Sequence, residues 1–349
     1  MCCSVLPPHL NFIRKAAVCL HSFIPICADS VTVDMVINMK VFDLHCDTIG
    51  MVKWGYSKGI RSGDGNRHLD VERLVQGGGY VQCFGMFSSK GSSNYEFQYL
   101  KDFLALAHRL VGTSPELNFV TSMSQLRKDK VNALLTIEDS GCIQGKPENV
   151  EYVYDQGVRM FGIIHNRENV YAFPNSDDRS MMEKGLTPVG REFIDQLSQI
   201  GAIVDVSHLN YGGFWDVSDI CKGPFIASHS CAEGLHHHRR NLTDSMIRAI
   251  AEHGGVVGIN FCSEFATGNK EMMYLDDIVD QAQYMKNIGG IDCLALGSDF
   301  DGVANGFEFK DVEGMQSVVE ALLKSGFTEE ETERIMWKNA VRVFTEVCR

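Results

Sequence analysis

The chain lacks several features that would each have decided its class. Apolar runs all fall short of the roughly 18 residues that a membrane-spanning helix requires, so no span is expected. Basic residues are outnumbered, 32 Lys and Arg against 45 Asp and Glu, giving a net charge of −13. That balance disfavours non-specific binding to nucleic acid or to an anionic membrane surface. The 12 cysteines contain no C-x-x-C pair. Cys46, Cys83, Cys142, Cys262 and Cys293 lie in or beside apolar runs, where a reduced thiol packs as a small hydrophobe. A disulfide framework is therefore not expected in a chain this large, and a reducing, cytoplasmic compartment is. Internal repeats, low-complexity tracts and linkers are also missing, which favours one domain.

Residues 1–38 stand apart from this domain. Arg14 and Lys15 precede a mostly apolar stretch over 16–28, with the proportions of a signal peptide. His21 and Pro25 interrupt it, and Ile26 suits a small-residue cleavage site poorly. Two readings result. Either Met35 or Met39 is the natural start and the prefix is a disordered or mis-assigned extension, or residues 1–28 direct export. The last residues, 341–349, are too short and polar for a lipid-anchor signal.

From residue 39 to 349 short apolar runs alternate with amphipathic stretches, the pattern of parallel strands buried on both faces by helices. Eight strands are predicted, at 41–47, 80–87, 131–139, 158–165, 202–208, 225–230, 255–261 and 293–299. Helices are predicted over 95–111, 187–200, 243–253, 275–288, 312–325 and 328–347. Eight such units give a (β/α)8 (TIM) barrel, with a doubly wound open sheet as the alternative. The polar residues favour the barrel. Seven strands end in a polar or metal-capable group: His45 with Asp47, Glu138, His165, His208, His229, Asn260 and Asp299. Barrel active sites are built at that C-terminal rim.

The rim residues point to metal chemistry. A His-x-Asp spacing on a strand places His45 and Asp47 on one face, where imidazole and carboxylate can grip one ion. Glu138 ends a buried run, so its carboxylate must be paired or metal-bound. With His208 and His229 the set totals five ligands on four strand ends, enough for two metal ions bridged by a carboxylate. Asp299 closes the last strand and suits general acid–base work, whereas Asp301 suits a turn-fastening role. The run from His236 to His238 reads as loop, because three adjacent histidines cannot face one metal on regular structure. Arg239 and Arg240 can offer a bidentate guanidinium to a substrate carboxylate or remain solvated charges.

At these residues the chain resembles the membrane (renal) dipeptidase family of zinc peptidases, within the amidohydrolase-like barrels. DLHCDT at 43–48, IED at 137–139, GVRMFGIIHN at 157–166, VDVSH at 204–208, SHS at 228–230, RRN at 239–241 and GSDFDG at 297–302 carry the resemblance, in the family's order. WKNAVRVF at 337–344 resembles the family's closing motif with Trp337 and Lys338 in its glycine context. The resemblance implies two zinc ions, one on His45 and Asp47, one on His208 and His229, with Glu138 bridging. It implies that His165 polarises the scissile carbonyl, Arg240 holds the C-terminal carboxylate of a dipeptide, and Asp299 shuttles the proton. A homodimer and acceptance of a D-residue at the C-terminal position are implied on the same ground. The chain departs from the family at Phe265, where a tyrosine is expected to assist the arginine. Related barrels such as lactonases, phosphotriesterases and cyclic amidases bridge their metals with a modified lysine on the fourth strand. No lysine lies between Arg159 and Arg179 here, which leaves Glu138 as the bridge. A non-catalytic, peptide-binding barrel would be expected to lack a ligand or the acid.

Overall fold

The computed structural model describes residues 38–61, 67–87 and 96–348. The expected N-terminal extension therefore lies, up to residue 37, outside the described residues. The apolar runs form eight parallel strands. These are β1 Val41–Asp43, β2 Gly79–Met86, β3 Val131–Ile137, β4 Val158–Gly162, β5 Ile203–Asp205, β6 Ala227–Ser230, β7 Val257–Asn260 and β8 Leu294–Gly297. Their hydrogen-bonded order is β5-β4-β3-β2-β1-β8-β7-β6. A single parallel bridge, Asp205 to Ile226, joins the two ends of this order. There the Val206 N–H donates to Ile226 O at 2.8 Å and the Ile226 N–H to Val204 O at 3.0 Å. The sheet closes on itself, and the fold is the expected (β/α)8 barrel.

The helices cover the outside and begin where the sequence supplies a cap. Thr187 accepts from the Gly190 N–H ahead of Pro188, opening Pro188–Ile200, and Thr243 accepts from the Met246 N–H to open Asp244–Glu252. Phe97–Gly112, Leu275–Gly289 and Met315–Lys324 lie close to their predicted ranges, while Tyr211–Ile220 is a further helix. Among the described residues no helix is long and apolar enough to cross a membrane.

β4 and β5 stop three residues short of their predicted ends, leaving His165 and His208 beyond the strands, and three further elements differ from expectation. β1 stops as a regular strand at Asp43, although irregular pairing with the β8 segment continues past it through the Cys46–Phe300 bridge, alongside His45 and Asp47. A short strand, Leu117–Phe119, adds to the edge of β3 outside the ring. The last predicted helix is three pieces: Glu329–Glu333, a π-helical turn Arg334–Lys338, and Asn339–Val347. Apolar periodicity at three- and four-residue spacing does not reveal the extra residue of a π turn. The turn brings Asn339 inward, where its amide donates to Ile291 O and Leu294 O at 2.8 and 2.9 Å.

The barrel interior is apolar below and polar above. Phe42, Leu44, Val81, Cys83, Leu134, Met160, Ile203, Ile226, Val256 and Ala295 pack into one inner cluster, closed from beneath by Ala340, Val343 and Phe344. Two-residue alternation carries the same face upward from Leu134 to Thr136 and Glu138, from Val256 to Asn260, and from Ala295 to Asp299. Thus the lumen changes from hydrocarbon to carboxylate and amide towards the C-terminal rim. The described cysteines are all buried thiols with no disulfide among them.

Candidate metal centre

The five expected ligands, together with His165 and Asp299, meet at that rim. Three groups draw metal-binding atoms to within 4.8 Å of one another: His45, Glu138 and His229; Glu138, His165 and His208; and His45, Asp47 and Asp299. Glu138 Oε1 lies 2.9 Å from His208 Nε2, 3.5 Å from His229 Nε2, 3.7 Å from His165 Nε2 and 3.9 Å from His45 Nε2. His45 Nε2 is 3.7 Å from Asp47 Oδ2 and 3.8 Å from Asp299 Oδ1. The carboxylate of Glu138 is thus the common member of both histidine groups.

Local backbone irregularities bring several of these side chains round. His208 and Asp299 sit in the left-handed region, with φ of 66° and 60°. Such conformations cost roughly 1–3 kcal/mol each for non-glycine residues and cluster at functional sites. β6 shifts register against β7 between Ala227 and Ser230, so His229 turns to the lumen although its sequence parity would send it outward. Gly302 allows the closest approach: a Cβ there would stand 2.2 Å from both Asp47 Oδ2 and Asp299 Oδ1.

A dication fits these residues. His45 Nε2, Asp47 Oδ1 and Glu138 Oε2 are buried and have no hydrogen-bond partner, although each bears a lone pair available to a cation. Burial pushes the carboxyls of Glu138 and Asp299 up, with the Asp47 charge adding to it. Burial drives His165 down to about 3, helped by Arg240, and lowers His208 and His229 in the same way. For His45 burial is outweighed by Glu138, Asp47 and Asp299, which lift it to about 10. The β1 side therefore demands positive charge, while the β5 and β6 side presents neutral imidazoles.

The remaining rim residues divide by role. Asn260 Nδ2 donates to Asp299 Oδ2 at 3.0 Å and aims it at His45. Asp301, expected to fasten a turn, accepts from Thr48 Oγ1 and the His68 N–H, both at 2.6 Å. Arg240 is buried with its Nε unpartnered and Nη2 only 3.4 Å from His229 O, while Arg239 pairs with Asp177 at the surface. Phe265 lies 5.6 Å below the Arg240 guanidinium, ring to cation, in the short helix Ser263–Thr267. Of the run 236–238, His237 pairs with Glu233 and His238 stacks on Phe265, so neither joins the metal groups.

Sequence reasoning assigned no role to Asp43, Asn166, Asp205, Ser228 or Gly302, which hold the ligands in place. Asp43 accepts from Ser298 N and Oγ, from Gln82 Nε2 and from the His45 N–H. Asp205 accepts from Ser207 N, Ser228 N and Ser228 Oγ. Asn166 lies 3.1 Å from His208 Nδ1 through its amide oxygen and 3.2 Å from His165 Nε2 through its amide nitrogen. A signal was present for two of them: buried aspartates inside apolar strand runs, each two residues before a group they accept from.

The chain is similar to known proteins in sequence and in fold. The family model for membrane dipeptidase, peptidase family M19, matches residues 31–349. The chain is 37% identical over 235 residues to an uncharacterized protein in the pqqA 5′ region of Klebsiella pneumoniae, covering 64% of this chain and 86% of that one. It is 29% identical over 296 residues to dipeptidase tcpJ of Claviceps purpurea, covering 80% and 69%. Its fold matches the crystal structure of dipeptidase AC, a metallopeptidase, with a TM-score of 0.80 at 24% identity over 89% of this chain and 99% of that one. A metallopeptidase from Rhodobacter sphaeroides, solved with a phosphinate mimic of L-Ala-D-Ala, matches with the same TM-score at 23% identity and the same coverage. The chain belongs to the membrane dipeptidase family, peptidase family M19, and is a metallopeptidase of the dipeptidase class.

Proposed function

We propose that this enzyme hydrolyses dipeptides at a centre of two zinc ions. One observation carries the reading: lone-pair donors of these five side chains fall into overlapping groups at the rim, and three of their buried atoms have no hydrogen-bond partner. His45 and Asp47 would hold one ion, His208 and His229 the other, and Glu138 both. When bound, two zinc ions supply a hydroxide near neutral pH and polarise the scissile carbonyl. Arg240, buried and with donors to spare, takes the C-terminal carboxylate of the substrate. His165, neutral at physiological pH, offers an N–H to the carbonyl oxygen as negative charge develops there. Asp299 accepts the proton of the attacking water and returns it to the amine nitrogen as the C–N bond breaks.

Recognition through the carboxylate leaves the C-terminal side chain unread, so a D-residue is accepted at that position. Hydrolysis of L-Ala-L-Ala and L-Ala-D-Ala by zinc-loaded protein, beside a chelated sample, tests this. Cleavage of both only with metal, at two zinc ions per chain, is the expected result. Two bound ions without cleavage would reject the dipeptide substrate, and no bound metal would reject the centre itself.

A further inference from the structure

The β5 and β6 side contains a hydrogen-bond chain whose direction is set by proton counting. Ser228 Oγ lies 2.5 Å from Asp205 Oδ2 and 2.8 Å from His229 Nδ1. A serine hydroxyl has one proton. Given to the carboxylate, it leaves Ser228 Oγ as the acceptor for an N–H on His229 Nδ1. His229 Nε2 is then the unprotonated nitrogen, turned towards Glu138 and 2.9 Å from His208 Nε2. His208 is fixed alike, since its Nδ1 faces the Asn166 amide oxygen. Two imidazole lone pairs are thereby pointed at one place. All of Asp205, Ser228 and His229 are buried, so no water competes for these bonds.

We propose that Asp205 and Ser228 are positioning residues for the second ion, fixing the tautomer and ring orientation of His229 through a carboxylate–serine–histidine relay. The inference rests on the two-metal reading above. It also separates Ser228 from its counterpart Ser298, which holds Asp43 and His45 O but touches no histidine ring. Outer partners of metal-bound histidines contribute roughly 10–100-fold to metal affinity.

The experiment measures zinc stoichiometry and affinity by metal analysis and chelator competition for the full chain and for Ser228→Ala, Ser228→Thr and Ser298→Ala. Ser228→Ala is expected to bind its more weakly held ion about 10–100-fold less tightly and to retain the other. Ser228→Thr, which keeps the hydroxyl, should restore the lost ion, and Ser298→Ala should leave that ion in place. Native affinity for both ions in Ser228→Ala would overturn the relay, as would equal loss in Ser298→Ala. Equal loss in Ser228→Thr would assign the effect to packing and overturn it as well, and this variant also serves if Ser228→Ala does not fold. An unmodified chain holding fewer than two ions would overturn the two-metal reading and the relay together.

Discussion

The two sides of the rim solve the same problem with the same residue types and different reach. On the β1 and β8 side, Asp43 ties the two strand ends together through Ser298, and on the β5 and β6 side Asp205 does so through Ser228. Asp43 shares the face of Val41, which packs with the outer, helix-covered cluster. Asp205 shares the face of Ile203, which packs inside the barrel. From outside the ring Asp43 holds backbone, a serine and the Gln82 amide. From within the lumen Asp205 holds a serine that itself lies against an imidazole. One side is therefore anionic and built around carboxylates, Asp47 and Asp299, and the other is neutral and built around oriented histidines.

Breaking the first side should have the largest effect. Asp299→Asn removes the proton carrier while keeping the Asn260 contact within reach, and turnover should fall roughly 10²–10⁴-fold with both ions retained by metal analysis. Near-normal kcat would instead shift the role to Asp301. Gly302→Ala attacks the same side sterically, since its Cβ would meet Asp47 and Asp299 at 2.2 Å. Displacements of this size cost about 100-fold in kcat/KM, and zinc content should fall at the His45 site while His208 and His229 keep theirs. Such a pattern would mirror Ser228→Ala and complete the contrast; loss of both ions together would show the two sides to be one unit. The smallest effect belongs to the carboxylate clamp. Phe265→Tyr places a hydroxyl near Arg240 and should lower KM by about 3- to 10-fold, the worth of one added hydrogen bond of roughly 1 kcal/mol, with kcat little changed. An unaltered KM would remove Phe265 from substrate recognition.

How legible these features were depended on backbone regularity. Where alternation runs unbroken to the rim, as for Glu138 and Asn260, residue parity alone leads from the apolar interior to the site. His45, His208 and His229 could be picked out by residue type and strand-end position. Their orientation could not, because it depends on β1 ending at Asp43, on a left-handed φ and on a register shift. Asp43 and Asp205 left a fainter mark: an aspartate inside an apolar run signals a buried carboxylate but not what it holds. Its value appears only when the neighbouring strand brings a serine to it from more than 20 residues away. The break near residue 334 was equally silent, since a π turn leaves the apolar pattern on either side intact.

The closure of the barrel has its own consequence. Seven of the junctions around the ring join paired strands, β1 and β8 at Asp43 and Leu296 alone, whereas β5 and β6 meet only through the isolated bridge at Asp205 and Ile226. The side chain of Asp205 reinforces that joint by gripping Ser228 across it. This seam in the wall is thus fastened by the group proposed to orient His229, beside His208. On the proposed reading, an ion held by His208 and His229 would act as a rivet across the seam, and its departure would loosen the wall as well as the chemistry. In hydrogen exchange, the amides of Val206 and Ile226 are where metal loss would first be felt.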